Sequence, residues 1–286
     1  MKKKAILFAI LAAAFYALST PFSKILMTKI PPSFMAGLLY LGAGFGMFFL
    51  DLLQRKTNKE ISGSGKITGK DFPYIAGMIL LDIIAPVLLM IALFNSSAAN
   101  ISLINNFEIV ATSIIAFSIF KEKISAKLWI GIVFITIACI LLSFEPTASF
   151  TFTPYSLFAI LACIAWGFEN NCTRKLSSKD PIKIVIIKGI GSGTGAVIVG
   201  LLTNEHFKLT LYILFALLLG FIAYGLSVYF YICAQKDLGA AKTSAFYGVS
   251  PFIGAFISLL LYKQLPNSIF FIALILMILG TVFASK

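Results

Sequence analysis

Apolar residues run through this chain in long blocks, each close to the roughly 20 residues that cross a bilayer as a helix. Ten blocks stand out: 5–27, 33–53, 72–94, 97–120, 128–145, 154–173, 182–202, 209–235, 240–262 and 268–285. Polar residues collect between them in short connections such as Asn95-Ser96, which suits antiparallel helical neighbours. The period-2 alternation of a transmembrane barrel is absent. The pattern predicts an all-α integral membrane protein of ten transmembrane helices.

Composition agrees. The chain is 59% hydrophobic and 12% charged, with a mean hydropathy of +0.98, whereas soluble domains carry about 25% charged residues. Too few charges are available to clothe a water-facing surface, so the lipid bilayer is the expected surrounding. The net charge of +12 belongs to loops between apolar blocks, and nucleic acid is not an expected partner. Of the 23 basic residues, 18 fall in the termini and the connections on their side, four on the other side, and Lys188 inside a block. Positive charge marks the cytoplasmic side, so both termini are expected there, in a multi-pass protein of the cell membrane. Lys2, Lys3 and Lys4 before an apolar run imitate a signal peptide, but the run continues through Met27, longer than such a segment needs. It reads as a retained first span. The four cysteines lie in or beside apolar blocks without CxxC spacing, which points to small apolar filler rather than disulfides or a metal site.

The hexapeptide LFAILA occurs at 7–12 and again at 157–162. At nearly the same offset Pro32 meets Pro181, and GAGFG (42–46) meets GSGTG (191–195). Further on, Ala98, Ala99, Ser102, Ile115 and Lys121 match Ala240, Ala241, Ser244, Ile257 and Lys263. The offset shortens by the extra length of loop 54–71. Matches in this order point to duplication, with a first repeat over 1–146 and a second over 147–286. Five spans per half force the second half to enter the membrane in the opposite sense. Inverted repeats of this kind hold substrate near the midplane of secondary transporters.

Several stretches carry a family resemblance. FSIFKEKIS (117–125) with SSAAN (96–100), AWGFENNCTRKLSSKDP (165–181) and LGAAKTSAFYGVSPFIGAFIS (238–258) resemble the EamA family of the drug/metabolite transporter (DMT) superfamily. The resemblance spans essentially the whole chain. It implies ten helices, a central cavity lined by both repeats, and transport or export of small metabolites. Two departures make the halves unequal: Glu122 is answered by Gln264, and Pro251 by Ile109.

Charge inside a span is the strongest local signal, because it costs about 2.5–3.5 kcal/mol at the helix centre. Asp82 and Glu108 come out near mid-depth on spans running in opposite directions, and two carboxylates in one site would hold a proton or a cation between them. Asn105 stands three residues before Glu108, on the same face of a helix, and Asn106 follows with a second amide. The repeat sets Tyr247 opposite Asn105, Ser250 opposite Glu108 and Tyr224 opposite Asp82. These seven residues form the expected substrate- or proton-binding set. Glu169 and Lys188 lie at similar depth on adjacent antiparallel spans, as a buried ion pair, as a cytoplasmic gate, or with Lys188 free to meet a substrate carboxylate. Asn170, Asn171 and Trp166 lie beside them. KGIGSGTG (188–195) is no phosphate loop, since its lysine precedes the glycines. Its GxxxG spacings, like those of GAGFG, suit close helix packing. Pro21, Pro86 and Pro251 each free a backbone carbonyl inside a span.

The resulting expectation is a secondary transporter moving small polar or amphipathic metabolites by alternating access. Amino acids or amines suit its chemistry, export fits the resemblance, and protons are a candidate coupling ion. No cofactor is expected, and the sequence does not specify an oligomeric state. The rival class is an integral-membrane enzyme acting on lipid-linked substrates. Its case is thin, because the single histidine, His206, has only Glu205 beside it.

Overall fold

The computed structural model describes residues 2–56, 65, 67–142, 154–206, 211–263 and 268–285. The proposed boundary at 146–147, Gln264, and the adjoining ends of blocks 128–145 and 209–235 lie outside these residues. Among the described residues the regular elements are helical, apart from a single bridge between Gly65 and Lys179. The first half comprises α1 (Lys2–Tyr16), α2 (Ser19–Leu26), α3 (Pro32–Lys56), α4 (Phe72–Asn95), α5 (Ala98–Ile104), α6 (Phe107–Ser118) and α7 (Ala126–Leu142). The second comprises α8 (Pro154–Leu176), α9 (Pro181–Leu202), α10 (Tyr212–Gly220), a π-helical segment (Phe221–Leu226), α11 (Ser227–Leu238), α12 (Ala240–Tyr247), α13 (Ser250–Tyr262) and α14 (Ser268–Ser285).

Seven stretches among the described residues are long and apolar enough to cross a membrane: Lys3–Leu26, Pro32–Gln54, Gly69–Asn95, Ala98–Ser118, Pro181–Leu202, Tyr212–Leu238 and Ala240–Tyr262. Three of the ten expected spans fall short of that standard. Ala126–Leu141 and Ser268–Phe283 are shorter apolar helices. The helix α8 has the length, but Glu169, Asn170 and Asn171 dilute its hydropathy. Large apolar side chains face outward along the bundle, with Phe49, Leu53, Leu202 and Phe256 62%, 61%, 77% and 63% exposed. Patches of that extent would not persist in water, and they mark the lipid-facing surface.

Blocks expected as single helices are interrupted where the interior needs them to be. A proline ring cannot coexist with the ladder bond to the carbonyl four residues back. Pro21 therefore ends α1 near Ala17, and Pro251 ends α12 at Tyr247. Pro86, by contrast, lies within the continuous α4. The break at Asn105–Asn106 has no proline. Its freed carbonyls take sulfur donors instead: Cys139 and Cys163 both donate to the Ile104 carbonyl at 3.7 Å, and Cys163 also reaches the Asn105 carbonyl. These two thiols therefore do more than fill space, a correction to the sequence reading. The breaks at 105–106 and 248–249 fall within one residue of matching register in the two halves.

Helix contacts come in pairs that exchange when the halves are exchanged. The helix α4 packs on α8 as α11 packs on α1, α5 meets α13 as α6 meets α12, and α3 lies along its own counterpart α9, as α7 does along α14. Glycines set the α3–α9 separation. A Cβ on Gly189 would lie 2.4 Å from the Gly44 nitrogen, and one on Gly193 would lie 2.6 Å from the Leu41 nitrogen. Of the two repeated glycine motifs only the middle residues, Gly44 and Gly193, lie in this contact. Gly42 and Gly46 abut Leu217 and Phe221, and Gly191 and Gly195 abut Ile79 and Ile83. Connections gather at two ends of the bundle. At one, Glu205 accepts from the Ser33 and Phe34 backbone nitrogens at the start of α3. At the other, Glu122 reaches the Ala240 nitrogen at the start of α12, and Lys179 pairs with Asp71 at 2.9 Å.

Candidate functional site

Between the ends, polar side chains from both halves converge. Close approach of α9 to α3 carries Lys188 into the space between α4 and α8. There its ammonium lies 3.0 Å from Asp82 Oδ2 and 2.9 Å from Glu169 Oε1. All three are buried, at 5%, 0% and 1% exposure. Asp82 Oδ1 accepts from Tyr40 Oη at 2.8 Å and from Trp166 Nε1 at 3.2 Å. Glu169 accepts from Thr173, one turn along α8. Burying these ions requires such a set of partners, and removing one strands the others at a cost of about 3–5 kcal/mol.

Glu108 belongs to a different group. It stands in the first turn of α6, just past the Asn105–Asn106 break, where the helix dipole favours a carboxylate. Its Oε1 accepts from Asn170 Nδ2 at 2.7 Å and from Ser244 Oγ at 3.4 Å. Thr112 joins both donors, receiving Asn170 Nδ2 at 3.1 Å and Ser244 Oγ at 3.4 Å. Gln235 holds α8 in place by donating to the Asn170 carbonyl at 3.0 Å. Unlike Asp82 and Glu169, Glu108 is only half-buried.

A row of tyrosines closes the space beside Glu108. Ring centroids run 5.0 Å from Tyr40 to Tyr224, 5.5 Å from Tyr224 to Tyr16, 5.5 Å from Tyr16 to Tyr247 and 4.9 Å from Tyr247 to Tyr231. Tyr224 rides on the π-helical segment, a local widening that often marks functional positions. Ser19 donates to its hydroxyl at 3.3 Å. The cavity there is about 40 Å³ and is lined by Glu108, Glu169, Asn170, Lys188, Trp166 and this tyrosine row. At roughly 15 Å³ per site, that accommodates two or three waters. An adjoining cleft touches Asn105, Asn106, Glu108 and Tyr247.

Most of the residues singled out by sequence therefore meet, though not always as expected. Asp82 and Glu108 do not share a site: α4 packs on α8 and α9, so Asp82 finds Lys188, and its acidic neighbour is Glu169. Asn105 and Glu108 do not ride one unbroken helix, because the chain turns between them. Ser250 opens α13 and lines neither cavity; past the turn at 248–249 it is Ser244 that reaches Glu108. Asn171 turns toward backbone, donating to the Thr112 and Gly167 carbonyls at 3.1 and 2.8 Å. Asn106 donates toward Met277 Sδ at 3.1 Å. Tyr16, Tyr40, Tyr231, Thr112 and Gln235 went unremarked in the sequence, and Ser244 was noted only as the repeat match of Ser102. Tyr16 was findable, since it is the repeat mate of Trp166 and packs edge-on against it at 6.3 Å. Among the described residues no group of three or more His, Cys, Asp or Glu is set to hold a metal ion.

Comparison with known proteins agrees with this architecture. The profile of the EamA-like transporter family matches the chain twice, over residues 3–144 and 153–286. An uncharacterized transporter of Methanothermobacter thermautotrophicus is 25% identical over 275 residues, spanning 91% of this chain and 79% of that one. A solved crystal structure 15% identical in sequence matches 100% of this chain and 97% of its own with a TM-score of 0.71, which shows a shared fold. Doubled family match, helical bundle and lipid-facing surface together place this multi-pass membrane protein in the EamA-like transporter family.

Proposed function

We propose that the protein is a secondary carrier that moves small polar or amphipathic metabolites, amino acids or amines among them, across the cell membrane by alternating access. In this reading ten helices form two inverted repeats, joined near 146–147, with both termini cytoplasmic. Export is the direction, and a proton gradient drives it through Glu108. The observation that carries the proposal is Glu108 itself: a half-buried carboxylate facing a small cavity whose walls come from both repeats. Sites for small molecules usually measure about 300 Å³ or more, so a cavity of about 40 Å³ must open to admit a solute.

The two ends of the bundle support this. At one, Lys24 donates to the carbonyls that close α4, reaching Leu93, Phe94 at 2.8 Å and Ser96 at 3.0 Å. Its repeat mate, Arg174, donates to Ser177 at 2.9 Å and borders a larger cavity of about 210 Å³ with Phe120, Glu122, Asn171 and Lys175. A carrier that opens one side at a time needs such inequality between equivalent ends.

The enzyme reading loses its acid. Glu205, the neighbour of His206, is engaged by the Ser33 nitrogen at 3.0 Å and hydroxyl at 2.8 Å, capping α3. Proteoliposomes test the carrier directly. A pH gradient is expected to drive solute movement that Glu108→Gln abolishes, and a solute flux unaffected by Glu108→Gln refutes the assigned role.

A further inference from the structure

Which solutes the site accepts follows from where its charges are already committed. This inference rests on the carrier reading and narrows it. Two carboxylates, Asp82 and Glu169, hold the one ammonium, Lys188, and a third, Glu108, lines the same cavity without pairing with it. That ammonium is spent, held at 2.9 and 3.0 Å by two carboxylates and 5% exposed. The amide of Asn170 is likewise spent on Glu108 and Thr112. A substrate carboxylate entering the cavity would thus find no uncommitted cation and would face an excess of like charge. In a medium of low dielectric that repulsion is severe.

A cation meets the opposite conditions. Glu169 also lines the cavity, but Asp82 and Glu169 are 0% and 1% exposed and paired with Lys188. Glu108, by contrast, is half-buried, and its charge has no cationic partner among the described residues. Around it stand Tyr16, Tyr224, Tyr231 and Tyr247, with neighbouring ring centroids 4.9 to 5.5 Å apart. Aromatic faces attract ammonium groups, most strongly where water is excluded. We infer that the site binds a small organic monocation, a primary amine or quaternary ammonium on an apolar body without a free carboxylate. Its nitrogen lies between Glu108 and the Tyr16–Tyr247 pair. Tyr16 comes from the first repeat and Tyr231 and Tyr247 from the second, so parting the repeats opens the cage.

Phenethylamine and phenylalanine form a matched pair of probes, differing by the carboxylate alone. Calorimetric titration of the purified full chain in detergent is expected to show phenethylamine binding at least tenfold tighter than phenylalanine, with tetramethylammonium competing. Glu108→Gln is expected to weaken phenethylamine at least tenfold. Tyr247→Leu should cost about tenfold, the value of a desolvated cation–aromatic contact, while Tyr247→Phe stays within about threefold because the ring face remains. The phenylalanine variant keeps the test readable if the leucine variant fails to fold. Equal or tighter binding of phenylalanine, no binding of the amine to the unaltered protein, or amine binding indifferent to Glu108→Gln each overturns the inference. Transport separates it from the reading beneath it. Proteoliposomes that move a neutral or anionic solute and no amine retain the carrier and refute the cation site. Tight amine binding with no flux of any solute retains the cation site and refutes the carrier.

Discussion

Lys24 and Arg174 occupy equivalent positions in the two repeats, and their surroundings differ. Lys24 is folded over the last carbonyls of α4, where a cation neutralises the negative end of a helix dipole. The carbonyls equivalent to those it binds lie at the end of α11, yet Arg174 turns to Ser177 on its own side, beside a cavity of about 210 Å³. A carboxylate crosses between the repeats at each end: Glu205 onto α3 and Glu122 onto α12. The difference teaches that sequence symmetry need not be conformational symmetry. One chain holds the same joint once closed and once loosened, and in the proposed cycle the two exchange.

The largest expected effect lies in the centre that both ends share. Lys188→Met leaves Asp82 and Glu169 facing each other without their cation, which should cost about 3–5 kcal/mol. Thermal unfolding in detergent checks this, and adding Asp82→Asn to Lys188→Met should restore part of the loss. Next comes the close contact of α3 and α9. Gly189→Val would drive a side chain into the backbone of Gly44, 2.4 Å from its nitrogen. Yield of monodisperse protein should fall sharply, whereas the change at the exposed Gly69, which has nothing within 4 Å, should be neutral.

The ends themselves carry the smaller effects, and these sharpen the comparison most. Lys24→Ala removes the closed latch, a loss of about 1–2 kcal/mol in charge-assisted hydrogen bonds. Spin labels at Asn95→Cys and Asn204→Cys should then move apart while a pair at Lys121→Cys and Lys242→Cys draws together. Arg174→Ala, which loses only a bond to Ser177 on its own side, should leave both distributions where they are. Smallest is Cys163→Ala, which takes one sulfur donor from the break at Asn105 and should cost about 1 kcal/mol; Cys163→Ser keeps a donor and should cost less.

Much of the fold could be read in the chain because lipid imposes a simple rule: long apolar blocks become helices. The glycine repeats at 42–46 and 191–195 pointed to close helix packing without naming the partners: Gly44 and Gly193 lie in the contact of α3 with α9, while the others abut Leu217, Phe221, Ile79 and Ile83. Pro21 and Pro251 announced breaks that were nonetheless read through. The break at Asn105 had no such mark, because its carbonyls are satisfied by thiols from α7 and α8. Within the site, charge inside apolar blocks singled out Glu108, Asp82, Glu169 and Lys188. Their partnership was hidden, since hydropathy does not say that α4 lies against α8 and α9. Tyrosines were hidden for another reason: among 40 aromatics, a ring lining a cavity carries the same letter as one facing lipid.

The central claim is that Glu108 serves a cavity opened to each side in turn. Its most direct test is pH-gradient-driven flux of phenethylamine in proteoliposomes, measured for the unaltered chain and for Glu108→Gln at equal reconstitution. The account predicts saturable flux that follows the gradient and is lost in the variant. Undiminished flux through Glu108→Gln would contradict it.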